Sequence, residues 1–505
     1  MLHFYMPKII LTTLNSRFTH TSIALRYLYA NLKEIQQHAK ILEFSINDAM
    51  QSIAEKLLAQ EADIIGIGVY IWNVSFVGEL IHIIKKVSPQ TTIILGGPEV
   101  THEPFRVKLD DADFIIQGEG DLSFYELCKN IISNTPPKER TIKMSIPSLK
   151  ELKLPYRYYT DEDIQNRYIY VEASRGCPFE CEFCLSSMDE RVRAFDIDKL
   201  LEEFELLWQR GARNFKFIDR TFNLNIKTAS RLLDFFLEKE MPYFAHFEVV
   251  PDHFPTSLKK KIASFEHGAL QLEIGIQTLN PQIAKNISRD LNLEKIKQNI
   301  SFLENETDAH IHLDLIVGLP GESLESFGKN LDELVALSSC EIQIGILKKL
   351  SGTHINRHDI EHGMIYSDIP PYDILKNDQL SFDDIQIMKR FARFWDLTYN
   401  SGNFKKTTPL IWQNGSVFKN FYDFCIWIYL QTDSTYKISL SRLGELLFKY
   451  LKDVKNLDTK LVAGNMLEDM MRLKGRAVPL YLKKYSTGFI PKATEGRSGF
   501  NKRQR

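Results

Sequence analysis

Arg175-Gly176-Cys177-Pro178-Phe179-Glu180-Cys181-Glu182-Phe183-Cys184 places three of the chain's six cysteines within eight residues, in the pattern CxxxCxxC. The β-branched and aromatic run from Tyr168 to Val171 predicts a strand immediately before it, so the cysteines fall on a loop at a strand's end. Thiolates are soft ligands suited to iron or zinc. A four-iron cluster needs four ligands, and three cysteines leave one iron open to something that is not protein. A zinc site with a distant fourth ligand is the alternative that the spacing alone leaves open.

Downstream of the cysteines, strand-like runs recur with helices between them. They are Tyr168 to Ser174, Phe215 to Asp219, Phe244 to Val249, Leu270 to Ile276, Ile311 to Leu319 and Glu341 to Leu347. Upstream, Pro7 to Leu14, Lys40 to Phe44, Asp63 to Tyr70, Thr91 to Leu95 and Phe114 to Gln117 read as strands, separated by segments of helical spacing. Such alternation predicts a parallel, doubly wound sheet whose ligands bind beyond the carboxyl ends of the strands. Small residues stand at those ends: Gly96-Gly97-Pro98 and Gly118-Glu119-Gly120. Tyr70, Trp72 and Asn73 follow the third strand, where lining a cofactor and ordinary packing are equally good readings. His20 lies after the first strand beside Thr21 and Ser22, and reads as a surface or helix-capping residue.

Composition sets the frame. The chain has 505 residues, 44% of them apolar and 25% charged, with a net charge of −2. This is a soluble, multidomain composition with no global field for nucleic acid or membrane. No apolar run approaches the ~20 residues of a membrane span, and no signal-peptide pattern opens the chain. The other cysteines, Cys128, Cys340 and Cys425, are scattered, which does not suggest a disulfide framework. A cytoplasmic location is expected.

The cysteine motif is that of the radical S-adenosylmethionine enzymes. With GGP and then GEG ahead of it, the first 350 or so residues resemble the members that carry a cobalamin-binding domain. The resemblance implies a flavodoxin-like N-terminal α/β domain, a partial (β/α)6 barrel, and three cofactors. Cys177, Cys181 and Cys184 would hold a [4Fe–4S] cluster. S-adenosylmethionine would be bound by Glu248, Gln277, Arg289 and Asp314, which match positions used in the subgroup resembling the oxygen-independent coproporphyrinogen oxidase, by Phe183, the aromatic usual before the third cysteine, and by Asp219, where relatives carry an acidic residue. Cobalamin would lie against Tyr70, Asn73, Gly96, Gly97, Gly118, Glu119 and Gly120. The DxHxxG motif, whose histidine replaces the lower cobalt ligand in many cobalamin proteins, is absent; Asn47-Asp48 stands at the corresponding loop. Many members of the family also lack that histidine. The implied activity is formation of a 5′-deoxyadenosyl radical, with C-methylation the commonest outcome and ring formation or rearrangement the others. An electron donor such as flavodoxin or ferredoxin is expected as a partner. A methylthiotransferase would need a second cysteine trio in the N-terminal domain, and none is present.

These readings divide the chain into residues 1–135 (cobalamin-binding-like), 136–163 (a linker opening on Pro136-Pro137), 164–350 (radical barrel), 351–470 (helical cap) and 471–505 (basic tail). Phe382 to Tyr399 and Val417 to Leu430 have helical periodicity. The last 35 residues hold ten Lys or Arg against Glu495 alone, with Tyr485, Phe489 and Phe500 among them. A solvated tail is expected there, with contact to RNA phosphates as the other reading. Two further functional readings stay open: a radical enzyme that has lost cobalamin, and an RNA-binding protein with a structural cluster. The sequence does not name the substrate.

Overall fold

A buried apolar strand opens the chain: β1 (Ile9–Asn15) has no exposed residue along its length. Around it lie β2 (Ala39–Ser45), β3 (Ile64–Gly68), β4 (Thr92–Gly96), β5 (Phe114–Gln117) and β6 (Thr141–Lys143), in the order β2-β1-β3-β4-β5-β6. Every pairing is parallel. Helices α1 (Ile23–Ala30), α2 (Met50–Leu58), α3 (Val74–Val87) and α4 (Ser123–Ile132) cover both faces. Ile10, Ile65, Ile67 and Leu95 pack on Ile53, Leu57, Val77 and Ile81 of α2 and α3. Ile9, Leu11, Ile64 and Ile94 pack on Leu25, Phe124 and Leu127 of α1 and α4. Strands buried on both faces explain the continuous apolar runs of the sequence.

The computed structural model describes residues 7–143, 145–189, 191–413, 415–472 and 476–486. It comprises two compact units: residues 1–248 with 348–356 and 366–373, and residues 249–347 with 357–365 and 374–505. The span 136–163, expected as a linker, is structured. It supplies β6 and the short helix α5 (Asp161–Asn166), which starts with a Thr160/Asp163 capping box. Only three residues long and flanked by polar chain, β6 gives too short a pattern to read.

Unit one continues with β7 (Ile169–Val171), then β8 (Ser174–Arg175) paired antiparallel with β9 (Arg193–Ala194). This two-residue ladder closes the neck of the cysteine loop. Next come α6 (Ile197–Gln209), β10 (Asn214–Phe217), α7 (Ile226–Leu237) and β11 (Phe244–Val249). β7, β10 and β11 are parallel, over a core of stacked rings such as Phe217 on Phe247 at 4.4 Å between centroids.

Unit two holds the parallel strands β12 (Leu270–Gln277), β13 (His310–Val317) and β14 (Glu341–Ile346). Between and beside them lie α8 (Thr256–Ile262), α9 (Pro281–Asn286), α10 (Leu293–Glu306) and α11 (Leu324–Leu337). β12 and β13 alternate strictly between buried and partly exposed residues. Leu272, Ile274, Leu313 and Leu315 are buried on one face, while Gln271, Gln277, His312 and Asp314 share the other. The C-terminal region is helical: α12 (Phe382–Trp395), α13 (Val417–Thr432), α14 (Leu440–Lys449) and α15 (Thr459–Met471). Phe391, Trp395, Phe421 and Phe424 form its fully buried aromatic centre.

Part of the segment expected as a solvated tail is docked instead. Leu480–Tyr485 form a 3-10 turn with Leu482 buried, and the Tyr481 hydroxyl donates to Met466 Sδ at 3.4 Å. Phe448 stacks near both Tyr481 and Tyr485. The apolar and aromatic side chains thus dock this part of the tail despite its lysines. Phe489, Glu495 and Phe500 lie outside the described residues. Among the described residues no helix is long and apolar enough to cross a membrane.

Candidate active site

The cysteine loop is shaped by its own backbone. Gly176 has φ +89°, and a Cβ there would lie 2.3 Å from the Arg191 carbonyl oxygen. The next residue, Cys177, donates its N–H to Asp189 O at 2.9 Å. Ser187 Oγ donates to the carbonyls of Cys181 (3.0 Å) and Cys184 (2.6 Å), and Cys184 N–H donates to Cys181 O at 3.0 Å. Cys177 is buried, Cys181 and Cys184 partly so, and burial pushes the Cys177 thiol above its ordinary pKa. Three thiols on a loop whose carbonyls are tied inward, preceded by a glycine that nothing else can replace, form a donor set that fits a cluster. Gly176→Ala combines a left-handed backbone with a collision against main chain. Its iron content after anaerobic reconstitution is expected to fall by more than about tenfold, against full loading of the parent, because such a change distorts the ligand loop itself.

Asp219, just past the end of β10, is buried and fully engaged. Its Oδ2 accepts the Ala173 N–H at 2.9 Å and its Oδ1 accepts from Ser174 Oγ at 2.6 Å. Burial raises its pKa to about 6, against the lowering effect of those hydrogen bonds. It holds the chain that leads into the cysteine motif. Glu248, at the end of β11, takes Arg220 Nη1 with both oxygens, at 2.6 and 2.8 Å. Arg220 is therefore held in a salt bridge at the end of β11. Phe183 is half-buried within the loop.

Arg175 was not singled out by the sequence, and it gathers more charge than any predicted residue. Its guanidinium donates to Glu119 Oε2 (2.9 Å), Asp121 Oδ2 and Oδ1 (2.8 and 3.1 Å) and Glu172 Oε1 (2.9 Å). Arg193 adds a very short contact to Glu119 and one of 3.0 Å to Asp189. The Gly118-Glu119-Gly120-Asp121 loop after β5 is thereby joined by charge to the first residue of the cysteine motif. An arginine before a glycine carries no special sequence signal, which is why it escaped notice.

The remaining cobalamin candidates sit at the carboxyl ends of β3, β4 and β5. A Cβ on Gly97 (φ +114°) would come within 2.5 Å of Val69 O, so two loop backbones meet there. Gly118 (φ +85°) has nothing within 4 Å of its Cβ position, and Gly96 has a single atom at 3.9 Å. Beside Gly118, the Gln117 side-chain oxygen is buried without a hydrogen bond. An open glycine cradle with an unsatisfied acceptor beside it fits a large ligand with amide donors. Tyr70 stacks on Trp72 at 4.6 Å. Asn73 is wholly buried and braces the loop, donating to Thr13 Oγ1, Leu14 O and Gly68 O at 3.1 Å each. His20 neither caps α1, a role taken by Ser22, nor stands apart: its Nδ1 lies 2.5 Å from the Tyr170 hydroxyl.

In unit two, Gln277, Arg289 and Asp314 converge on Gly275. β12 bulges there and Gln277 takes φ +67°, a strained backbone for a non-glycine residue. The Gln277 amide nitrogen lies 2.5 Å from where a Gly275 Cβ would be. Arg289 Nη2 donates to Gly275 O at 2.8 Å, and Asp314 is the register partner of Gly275 on β13. Glu322, between β13 and α11, supports this bend. Its Oε1 accepts from Thr278 Oγ1 and Asn330 Nδ2, both at 2.8 Å. Burial raises its pKa to about 7, against the hydrogen bonds from Thr278, Asn330 and Ser326. Such a carboxyl is protonated in the folded state and ionised in the unfolded state between about pH 4.5 and 7. Its stabilising contribution is complete below that window and is lost as pH rises through it. Glu322→Gln is expected to remove about 3 kcal/mol of pH-dependent stability between pH 5 and 8, read from denaturant midpoints of both proteins across that range.

Three family models match the chain in order: "B12 binding domain" over residues 9–128, "Radical SAM superfamily" over 171–334 and "Protein of unknown function (DUF4080)" over 360–495. The uncharacterized methyltransferase PH0819 of Pyrococcus horikoshii is 24% identical over 378 residues, covering 69% of this chain and 80% of that protein. The cobalamin-dependent radical SAM methyltransferase TokK of Streptomyces tokunonensis is 24% identical over 59% of this chain, which spans only 49% of TokK. The structure of the cobalamin-dependent S-adenosylmethionine radical enzyme OxsB, with aqua-cobalamin and S-adenosylmethionine bound, aligns at TM-score 0.61. It covers 92% of this chain and 79% of OxsB at 15% identity, a likeness of fold. Along its length the chain thus carries matches to a B12-binding domain, a radical SAM domain and DUF4080, in that order.

Proposed function

We propose that the chain is a cobalamin-dependent radical S-adenosylmethionine methyltransferase acting on a carbon of its substrate. The observation that carries this reading is the ion network from Glu119 and Asp121 of the B12-binding part to Arg175 at the head of the cysteine motif. It fixes the loop beside the open Gly118 cradle relative to the loop that would hold the cluster. When bound, the cluster and S-adenosylmethionine supply a 5′-deoxyadenosyl radical, and cobalamin supplies the methyl group.

The chain's own residues would do the positioning. Cys177, Cys181 and Cys184 would ligate three irons. Asp219 would hold the approach to that loop through Ala173 and Ser174. Arg289 would pair with the methionine carboxylate, with Gln277 and Asp314 accepting from the ribose or amino group. Gly96, Gly97, Gly118 and Gly120 would let the backbone approach the corrin. A one-electron donor of the flavodoxin or ferredoxin class would reduce the cluster.

The test is anaerobic reconstitution with iron, sulfide and methylcobalamin, then dithionite-driven turnover. A bound corrin spectrum with 5′-deoxyadenosine formation, the latter abolished in Cys184→Ala, is expected. Deoxyadenosine without corrin would remove cobalamin from the proposal, and neither product nor corrin would overturn it.

A further inference from the structure

At the amino end of β13, away from every residue assigned above, two imidazoles and a carboxylate converge. Strand alternation puts His310 and His312 on the same face, and the parallel register sets Glu341, the first residue of β14, directly beside His312. His310 Nε2 lies 2.9 Å from His312 Nε2 and 3.1 Å from Glu341 Oε1, and His312 Nε2 lies 3.3 Å from Glu341 Oε2. Tetrahedral zinc with bonds of 2.0–2.1 Å separates its ligand atoms by about 3.3 Å. The imidazole–imidazole separation, and the separations from the two imidazoles to Oε1 and Oε2 of the carboxylate, are close to that spacing before any ion is added. We propose that His310, His312 and Glu341 form a binding site for a divalent ion of the zinc class.

The chemistry favours a borderline transition metal. Two imidazole nitrogens with one carboxylate suit zinc, whereas magnesium and calcium prefer all-oxygen sets. A fourth ligand is at hand: the Gln271 amide stands 3.3 Å from His312 Nε2, and turning the amide over presents its oxygen instead of its nitrogen. The side chains of His312 and Glu341 are 13% and 16% exposed and that of His310 37%, so an ion can enter from the His310 side. Such an ion would tie β13 to β14. His312 and Asp314 are two residues apart on one strand face, about 7 Å, so the ion would sit outside the proposed S-adenosylmethionine contacts.

A second group of the same composition, His358, Glu361 and His362, is looser and more open. Its imidazole centroids stand 5.7 Å apart against 4.8 Å for His310 and His312, and Glu361 is exposed where Glu341 is half-buried. This contrast selects the strand site.

Zinc alone is the probe, added to cluster-loaded protein so that the cysteines are occupied, followed by dialysis and elemental analysis. One zinc per chain, with only nitrogen and oxygen neighbours by X-ray absorption, is expected. Competition with a chromophoric chelator should show affinity reduced by more than about 100-fold in His310→Gln/His312→Gln and unchanged in His358→Gln/His362→Gln. Glu341→Gln, which keeps both imidazoles, covers the case in which the double variant does not fold, and should also weaken binding. Absence of retained zinc, sulfur in its coordination shell, or equal affinity in the strand variants would overturn the assignment.

Discussion

Arg175→Ala is expected to lower the free energy of unfolding by about 3–5 kcal/mol at pH 8, because it leaves buried carboxylates without their cation. Glu172, Asp121 and Glu119 all face this one guanidinium, with side chains 6%, 7% and 23% exposed. Burial already pushes Glu172 up to about 7, although Arg175 pulls it down. Without the arginine that pull is gone. A carboxyl with a raised folded pKa stabilises fully below its unfolded value near 4.5 and loses that contribution as pH rises through its folded value. The gap between parent and variant should therefore be widest at pH 8 and shrink by pH 6, as the stranded carboxylates take up protons. Urea denaturation at both values measures it. The folded fraction of the variant should also be defective, with reconstituted S-adenosylmethionine cleavage down by about two orders of magnitude, since a misplacement near 1 Å has that cost. Arg175→Lys keeps the charge but not the fork that spans three acids, and should recover stability more than activity.

The contrast between what the sequence displayed and what it hid follows from range. Strands such as Ile64–Gly68 and Leu270–Gln277 were legible because burial on one or both faces writes a local pattern. The cysteine motif was legible because cluster ligation needs fixed spacing on one loop. β6 was missed because three residues carry no period. Arg175 was missed because two of its three acidic partners lie 54 and 56 residues away, and such a network is a property of tertiary proximity. Glu322 and Asp219 act in the same way, through partners 44 and 46 residues distant. The His310–His312 pair was in plain sight at strand spacing, but its meaning depended on Glu341 arriving on the neighbouring strand. Motif residues thus showed themselves, whereas the long-range contacts that position them did not.

Arg26→Met should separate those two kinds of contribution. Arg26 is more buried than Arg175, pairing Nη1 with Glu43 at 2.6 Å and Nη2 with Asp163 at 2.7 Å, side chains 3%, 5% and 6% exposed. It lies over the Tyr159 ring at 4.4 Å. It joins α1 to β2 and α5, and none of its partners belongs to the cysteine loop or the Gly118 cradle. Truncating one member of a buried ion group costs about 3–5 kcal/mol. Burial pushes the Asp163 carboxyl upward, but Arg26 and the Thr160 hydrogen bonds outweigh it and hold the group below its ordinary pKa. A depressed pKa gives stability that is present above the unfolded value and lost as pH falls through the folded one. The deficit of Arg26→Met should therefore be full at pH 7 and narrow only toward pH 4, a lower window than that of Arg175→Ala. Activity is the sharper comparison. Normalised to folded protein, S-adenosylmethionine cleavage by Arg26→Met should stay within about twofold of the parent, since an interaction that is the same in the ground and transition states does not alter the chemical step. Equal losses of normalised activity in the two variants would mean that Arg175 acts only as a structural ion pair, and that its bridge between the two loops has no part in aligning them.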